Sequence, residues 1–593
     1  MRGIHMNITN TGKALALFKN ILDTTKRKVS PIRFDELKPE LKESNELFFE
    51  RTTPEECGIE SKHIQKYVGE LLADKSIGLQ SIMLIRNRKV IFEASKGNRT
   101  MNIPKTTFSQ CKSVVSLAVG VLVTQGRLGL NERLTDIFSE RLTPLSRIKM
   151  KGITVRHLLS MTSSVSFNEF EAMVSRDWVK EFLDSDTDGT EGSDFRYNSL
   201  NSYMLSAIIK ERTGQSLSQF LDKTLFSALG ITNYYWEKCP KGIEKGGWGL
   251  YILPEDIAKL GVLVMQGGVW NGKRLISAKY IIEATKTQAV TPKEYGDFNY
   301  GYHIWSGRST DSFLFNGLMG QNLLGYRDSG VIIVINCGNC DTFQQGAFFG
   351  ISEKYFNRYF PETTESNEAA FGELMRFKNE VKAFQCGCKR SFLPMPREKR
   401  DLDADLKAIN GRRFAVDSAN SASTGFAPLV LQIVQGNYTK GLKSVYFLRE
   451  ENSLCVSFAE QDETHKISVG FESPDKSTVR FHGEPFLVIS QGRFTENEDG
   501  IPVLIIDCDF AETPYSRRYK FFFDCDDIHA EFSETPAEML PRALPNILTT
   551  LVPKSEKFGS AFAKIDGDYV SIKFEKAFSQ KLRLSETAQA PQK

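Results

Sequence analysis

No run of about 18 apolar residues occurs anywhere in the chain, which excludes a membrane-spanning helix. The N-terminus carries only a short apolar patch, Ala14–Phe18, cut by Lys19. It lacks the apolar core and small-residue cleavage site of a signal peptide, so a soluble, cytoplasmic protein with no membrane partner is expected. Cysteine is sparse: 10 in 593 residues is too few for a disulfide framework. Cys337-x-x-Cys340 and Cys386-x-Cys388 have metal-like spacing, but Cys337 ends the apolar run "GVIIVINC" and no histidine lies nearby in sequence. These thiols read as reduced and mostly buried, and neither a metal nor an organic cofactor is expected. Charge of one sign is also missing. With 76 Lys+Arg against 73 Asp+Glu and no basic block, a nucleic-acid partner is excluded. There is no internal repeat or extended low-complexity tract.

What is present divides into four segments. Residues 1–50 are charged and helix-leaning, a helical extension broken at Pro39. Residues 51–360 open with Thr53 as a candidate N-cap and Glu56 three residues on, then the amphipathic stretch "SKHIQKYVGELLAD". Two strand-like runs follow, "LQSIMLIRN" and "KVIFEASKG". A helical middle fills about 105–290. Strand signals return at "YGYHIWSG", "SFLFNG" and "SGVIIVINCG", before a closing helix in "TFQQGAFFGISEKYFNRYF". Strands that bracket helices, without alternating one by one, predict an α+β fold. Residues 361–411 read as a linker with a helix. From 412 to 593, short alternating runs such as "SVYFLREENSLCVSFAEQ", "HKISVGFE", "PVLIIDCDF" and "DYVSIKFE" predict an all-β sandwich or barrel.

One short stretch carries chemistry. In "TTFSQCKSVVSLAVG", Ser109 and Lys112 stand three residues apart where a polar loop becomes an almost wholly apolar helix ended by Gly126. That spacing puts both side chains on one helix face. A lysine among apolar neighbours loses part of its preference for the charged form and can take a serine proton. The helix start also favours developing negative charge. Spacing alone leaves a second reading open, with Ser109 as an N-cap and Lys112 extended to solvent. The same pattern recurs at Ser146–Lys149 and Ser473–Lys476 without such a context.

The surrounding blocks decide between the two readings. "FSQCKSVVSLAVGVLVTQGRLGLNERLTDIF" resembles the nucleophile helix of the beta-lactamase-related serine hydrolases: class C beta-lactamases, DD-peptidases and esterases of the same fold. "ITVRHLLSMTSSV", "FRYNSLNSYMLSAIIKERTG" and "GGWGLYILPEDIAKLGVLVMQGGVWNGKRLIS" are similar to its later blocks, in order, across about 50–360. The resemblance implies a beta-lactamase/DD-peptidase-like fold, an antiparallel sheet flanked by helices plus a helical subdomain. It implies Ser109 as nucleophile and Lys112 as base, with Tyr197 sharing proton transfer, its phenol pKa lowered by the lysine charge. Tyr197-Asn198-Ser199 stands for the family's Tyr-x-Asn. Ser199 replaces the last asparagine, which leaves Asn198 or Asn201 to contact substrate. "FNGLMGQ", Phe315–Gln321, is similar to the third motif. There Gly317 would admit the acyl group, and an N–H near Leu318 would join that of Ser109 in an oxyanion hole, with Gln321 alongside. Phe315 replaces the usual basic residue, which argues for neutral esters or amides over substrates bearing a carboxylate.

Other candidates are set aside. Asp184, Asp186, Asp188 and Gly189 begin like a calcium loop, but Phe195 stands where a bidentate glutamate belongs. His157 reads as packed, and His303 as lining the pocket. A Ser-His-Asp triad would need a G-x-S-x-G elbow, which Phe108-Ser109-Gln110 is not. The expected protein is a serine hydrolase cleaving a small ester or amide through an acyl-enzyme, with no metal or cofactor. DD-peptidase or beta-lactamase activity, or a catalytically weak binding module, are the alternatives. The sequence leaves the oligomeric state and the role of the β domain open.

Overall fold

The computed structural model describes residues 36–339, 346–383, 400–417, 422–451, 453–524, 528–536 and 578–587. The run "DYVSIKFE" and Cys340, Cys386 and Cys388 lie outside them.

The first domain is built on a sheet with strand order Glu50–Arg51, Lys89–Ser95, Leu79–Arg86, Val331–Cys337, Gln321–Tyr326, Ser312–Gly317, Trp305–Gly307 and Phe298–Tyr300. All pairings are antiparallel except that of the first strand. Period-two side-chain placement divides its apolar residues between two cores. Met83, Ile85, Phe313, Phe315 and Val334 face the helical middle. Ile82, Leu84, Leu314, Ile333 and Ile335 face helices Ser61–Ala73, Ala347–Phe356 and Glu368–Ala383. Burial on both faces explains why "SIMLIR" and "VIIVINC" read as unbroken apolar runs. Strands thus enclose a helical middle, as the α+β expectation held. Strand Gln321–Tyr326, unmarked in the sequence reading, pairs with both its neighbours.

Helix Cys111–Thr124 lies beneath the sheet with nearly every residue buried, and Gly126 follows it at φ 67°. Its all-round apolar surface is that of a core helix.

Two boundaries differ from the sequence reading. Residues 36–49 form no helix but an extended strap along the seam between the domains. Three of its four acids are instead engaged by bases across the chain: Glu36 by Lys238, Glu40 by Arg480 and Glu43 by Lys476. Pro39 removes a helical donor in addition. Helix Glu368–Ala383, assigned to the linker, belongs to the first domain. Its Leu374 and Val381 complete the outer core, and the Lys382 carbonyl accepts from Gly97 N–H at 3.0 Å.

The second domain is a β-barrel. Among the described residues its strands run in the order Thr464–Gly470, Ser453–Glu460, Leu442–Arg449, Arg413–Val416, Ser579–Glu586, His529–Thr535, Ser516–Phe522, Pro502–Phe510, Glu484–Glu496 and Asp475–Phe481. A parallel contact of Gly470 with Gln491 closes the ring. Alternate residues Leu454, Val456 and Phe458, with Val445, Phe447, Ile467 and Val469, fill the interior. Closure removes the open edges that a flat sheet would leave.

The domains are joined by a polar dock. Arg99, buried, donates to the carbonyls of Thr513 at 2.7 Å and Tyr515 at 3.0 Å and to Ser516 Oγ at 2.5 Å. Gln80 Nε2 donates to the Pro514 carbonyl at 2.8 Å, and Lys38 pairs with Glu512 at 2.6 Å, both side chains buried. Among the described residues no helix is long and apolar enough to cross a membrane.

Candidate active site

Ser109 sits in a 3-10 turn, Phe108–Gln110, just ahead of the core helix. No side chain caps that helix: Gln110 holds the N-cap position without a side-chain bond. The capping reading of Ser109 therefore does not apply. Lys112 is 1% exposed, which also removes the solvent-extended reading. Its Nζ donates to Ser109 Oγ at 2.9 Å and to the Gly247 carbonyl at 2.6 Å. Burial lowers the Lys112 pKa to about 8, with Cys111 and Glu169 pulling the other way. Ser109 keeps partial exposure, so a reachable hydroxyl rests on a buried amine. In the other two Ser-x-x-Lys pairs no such link forms; Lys149, for example, pairs with Asp186 at 2.7 Å.

Tyr197 completes the arrangement. Its phenol hydrogen-bonds Ser109, and its ring lies 4.9 Å from Lys112 Nζ, stacked with Trp305. Desolvation raises its pKa above the usual range, while the bond to Ser109 pulls it down. This reverses the expected lowering by lysine: the cost of burying a phenolate exceeds what the hydrogen bond returns. Tyr197 stays a proton donor. Phe195, Tyr295 and Tyr300 pack around the same Trp305, making one wall aromatic.

The nucleophile turn is tightly constrained. Phe108 has φ 46°, in the left-handed region that bulky side chains avoid. Met319, on the facing turn, has φ 61°. Both side chains are buried in the apolar cluster of the barrel domain. Thr106 N–H donates to the Glu512 carbonyl at 2.8 Å, and Lys105 Nζ to that of Ala511. Strained backbone persists only where its surroundings over-determine it, and here the second domain does much of that work.

The remaining predicted residues have other duties. Asn198 caps helix Ser199–Thr213 by accepting from Leu200 N–H, and its amide donates to the carbonyls of Val165 and Phe167. Asn201 accepts from Ser163 Oγ at 2.7 Å. The Ser199 N–H donates to Glu169 Oε1 at 2.8 Å. Gln321 is wholly engaged within the fold, donating to the Cys337 carbonyl and accepting from Asn336. His303 is 1% exposed and held by Ser202 and Tyr300. Burial, with the Lys112 charge adding, lowers it to about 3, so it stays neutral inside the core and does not line the cleft. Gly317 packs closely: a Cβ there would stand 2.2 Å from the Thr107 carbonyl, so the strand makes room for the Ser109 turn. Leu318, partly exposed, follows it. Phe315 is fully buried in the helical core. His157 serves a capping box with Thr154. The calcium-like acids are neutralised by bases, Lys180 on Asp184, Lys149 on Asp186 and Arg196 on Asp188.

Glu169 is the residue that the sequence reading missed. It raises the pKa of both Lys112 and Tyr197. Only the folded path of its loop brings it there.

Residues 64–338 match the Beta-lactamase family model. That segment resembles a beta-lactamase-family domain. Among its relatives is an uncharacterized protein of Alkalihalophilus pseudofirmus, 25% identical over 237 residues, covering 35% of this chain and 65% of the relative. Another is the 6-aminohexanoate-dimer hydrolase of Paenarthrobacter ureafaciens, 23% identical over 288 residues, with 43% of this chain and 72% of the relative covered. Protein flp of Staphylococcus aureus is 23% identical over 191 residues, which are 29% of this chain and 37% of its own length. The chain thus spans less than two thirds of the first and third of these. A solved family VIII carboxylesterase aligns over 52% of this chain and 99% of its own at 16% identity, with a TM-score of 0.42.

Proposed function

We propose that the chain is a serine hydrolase that opens a neutral ester or amide bond through an acyl-enzyme on Ser109. The observation that carries this reading is the 2.9 Å bond between Ser109 Oγ and a fully buried Lys112 whose pKa falls to about 8. Near that value a useful fraction of the amine is neutral and still basic enough to accept the hydroxyl proton. Ser109 Oγ attacks the carbonyl carbon as its proton passes to Lys112. Backbone N–H groups of Ser109 and of the turn at Leu318 receive the oxyanion. Tyr197, protonated and hydrogen-bonded to Ser109, stands where the leaving group departs and hands it a proton; Lys112 re-protonates the phenol. Water then attacks the acyl carbon by the same route in reverse.

Two features support a neutral substrate. The wall beside Ser109 is aromatic, through Tyr197 and Trp305. At the family's usual basic position stands a fully buried phenylalanine, Phe315, which removes the customary partner of a substrate carboxylate.

The test is mass spectrometry after brief exposure to p-nitrophenyl acetate and butyrate, with turnover followed in parallel and Ser109→Ala as control. The expected result is an acyl adduct on Ser109 and loss of turnover in the variant by at least about a thousandfold, the scale of removing an activated nucleophile. Equal rates in both proteins, with no adduct, would reject the reading. An adduct from a beta-lactam alone would move the substrate class to that of the penicillin-binding relatives.

A further inference from the structure

At one end of the barrel, far along the chain from Ser109, three reactive atoms converge without a hydrogen-bond partner among the described residues: Glu460 Oε2, Glu463 Oε1 and His465 Nε2. They lie within 4.8 Å of one another. His465 Nε2 is 3.7 Å from the Glu460 oxygen and 3.5 Å from that of Glu463, and the side chains of Glu460 and His465 are 0% and 1% exposed. Leaving such groups unpaired inside a protein is costly, and a pair of buried carboxylates more so.

Each carboxylate is already oriented by its other oxygen. Glu460 Oε1 accepts from Phe426 N–H at 2.6 Å, and Glu463 Oε2 from His482 N–H at 2.9 Å. His465 packs against the rings of Phe426 and Phe481. Fixed outer partners and free inner atoms are the pattern of metal ligands. His482 stands at the rim, its Nδ1 2.6 Å from Asn437 Oδ1 and its Nε2 3.4 Å from Asp462 Oδ2. That Nε2 is 3.8 Å from Glu463 Oε1.

We propose that Glu460, Glu463 and His465 bind a divalent transition-metal ion, zinc by preference, as a structural clip, with the fourth position on the side of His482. Four ligands on a tetrahedral ion with bonds of about 2.0–2.1 Å are spaced by roughly 3.3–3.4 Å. The two His465–carboxylate separations, 3.5 and 3.7 Å, are close to this, and all three ligand atoms lie within 4.8 Å of one another. Imidazole donors select zinc over calcium and magnesium, which prefer all-oxygen shells. Two positive charges match the two carboxylates, since Asp462 nearby is paired with Lys440. The clip joins the Glu460–Thr464 turn to the Phe481–Glu484 turn and to the chain on both sides of helix Leu429–Gln435. That helix ends at Gln435, which reaches the Tyr251 hydroxyl of the first domain at 2.6 Å. A metal here stiffens the barrel where it meets the hydrolase domain. The site stands apart from the Ser109 reading and does not depend on it.

The full chain, stripped with chelator, is titrated with Zn²⁺, Co²⁺, Ca²⁺ and Mg²⁺, with bound metal counted by elemental mass spectrometry and melting followed by scanning fluorimetry. The expected result is one Zn²⁺ per chain, a melting rise of several degrees, and visible Co²⁺ bands typical of tetrahedral nitrogen and oxygen ligation. All three are lost in His465→Ala and in Glu463→Gln. The second variant keeps the fold's shape if the first fails to fold. Unchanged uptake in both variants would assign the ion to the cysteines and overturn the proposal. A shift equal with Ca²⁺ would overturn the transition-metal assignment. No uptake and no shift would reject the clip.

Discussion

In the proposed mechanism Lys112 governs the chemistry through its protonation. With a pKa near 8, its ammonium form dominates at lower pH, and only the neutral amine accepts the Ser109 proton. The acylation rate, kcat/KM, is therefore expected to rise about tenfold per unit below pH 8 and to level off above it. Glu169 raises the lysine pKa, so Glu169→Gln lowers it further. The midpoint of the profile then moves to lower pH, while a purely structural role for Glu169 would change the plateau and leave the midpoint in place. Stopped-flow acylation from pH 6 to 10 separates the two. The pair Ser109 and Lys112 was legible because three residues along a helix decide it. Glu169 was not, because its loop and the Ser109 turn meet only in the folded chain. Glu460, Glu463 and His465 lie within six residues of one hairpin, but their spacing matches no ligand motif, and only the fold shows that their inner atoms meet unpaired.

Elements whose pattern is local were readable. The apolar runs at Leu79–Arg86 and Val331–Cys337, the stretch Ser61–Ala73 and the helix after Ser109 all form as their periodicity implies. Strap 36–49 was misread because helix propensity is weak beside its ion pairs with distant bases. Helix Glu368–Ala383 looked like a linker because only a few apolar residues face the sheet. The third motif was read only as a place for substrate, and within the fold its glycine has a packing duty as well. Gly317 is needed for the Thr107 carbonyl to approach, since a Cβ would stand 2.2 Å from it. Gly317→Ala is expected to cost about 1–3 kcal/mol, the range for overpacking. It should lower kcat by displacing the Ser109 turn, with KM for small esters little changed. Urea unfolding together with steady-state kinetics measures both.

Across the whole molecule the domains are coupled by buried charge. Lys38 and Glu512, both buried, form one pair at 2.6 Å, and burial raises the Glu512 pKa while Lys38 restrains it. Lys38→Met leaves a carboxylate enclosed without its partner, a loss of about 3–5 kcal/mol. Adding Glu512→Gln should recover much of this; a double variant as unstable as the single would show that Lys38 acts by packing alone. Chemical denaturation of the three proteins decides it. The seam matters beyond stability, because the 511–514 turn grips residues 105–106 while Phe108 and Met319 sink into the barrel core. The reactive group and its support are thus written in parts of the chain some 400 residues apart. A substitution in the barrel turn is therefore expected to reach the serine, although that turn contributes no reactive group of its own.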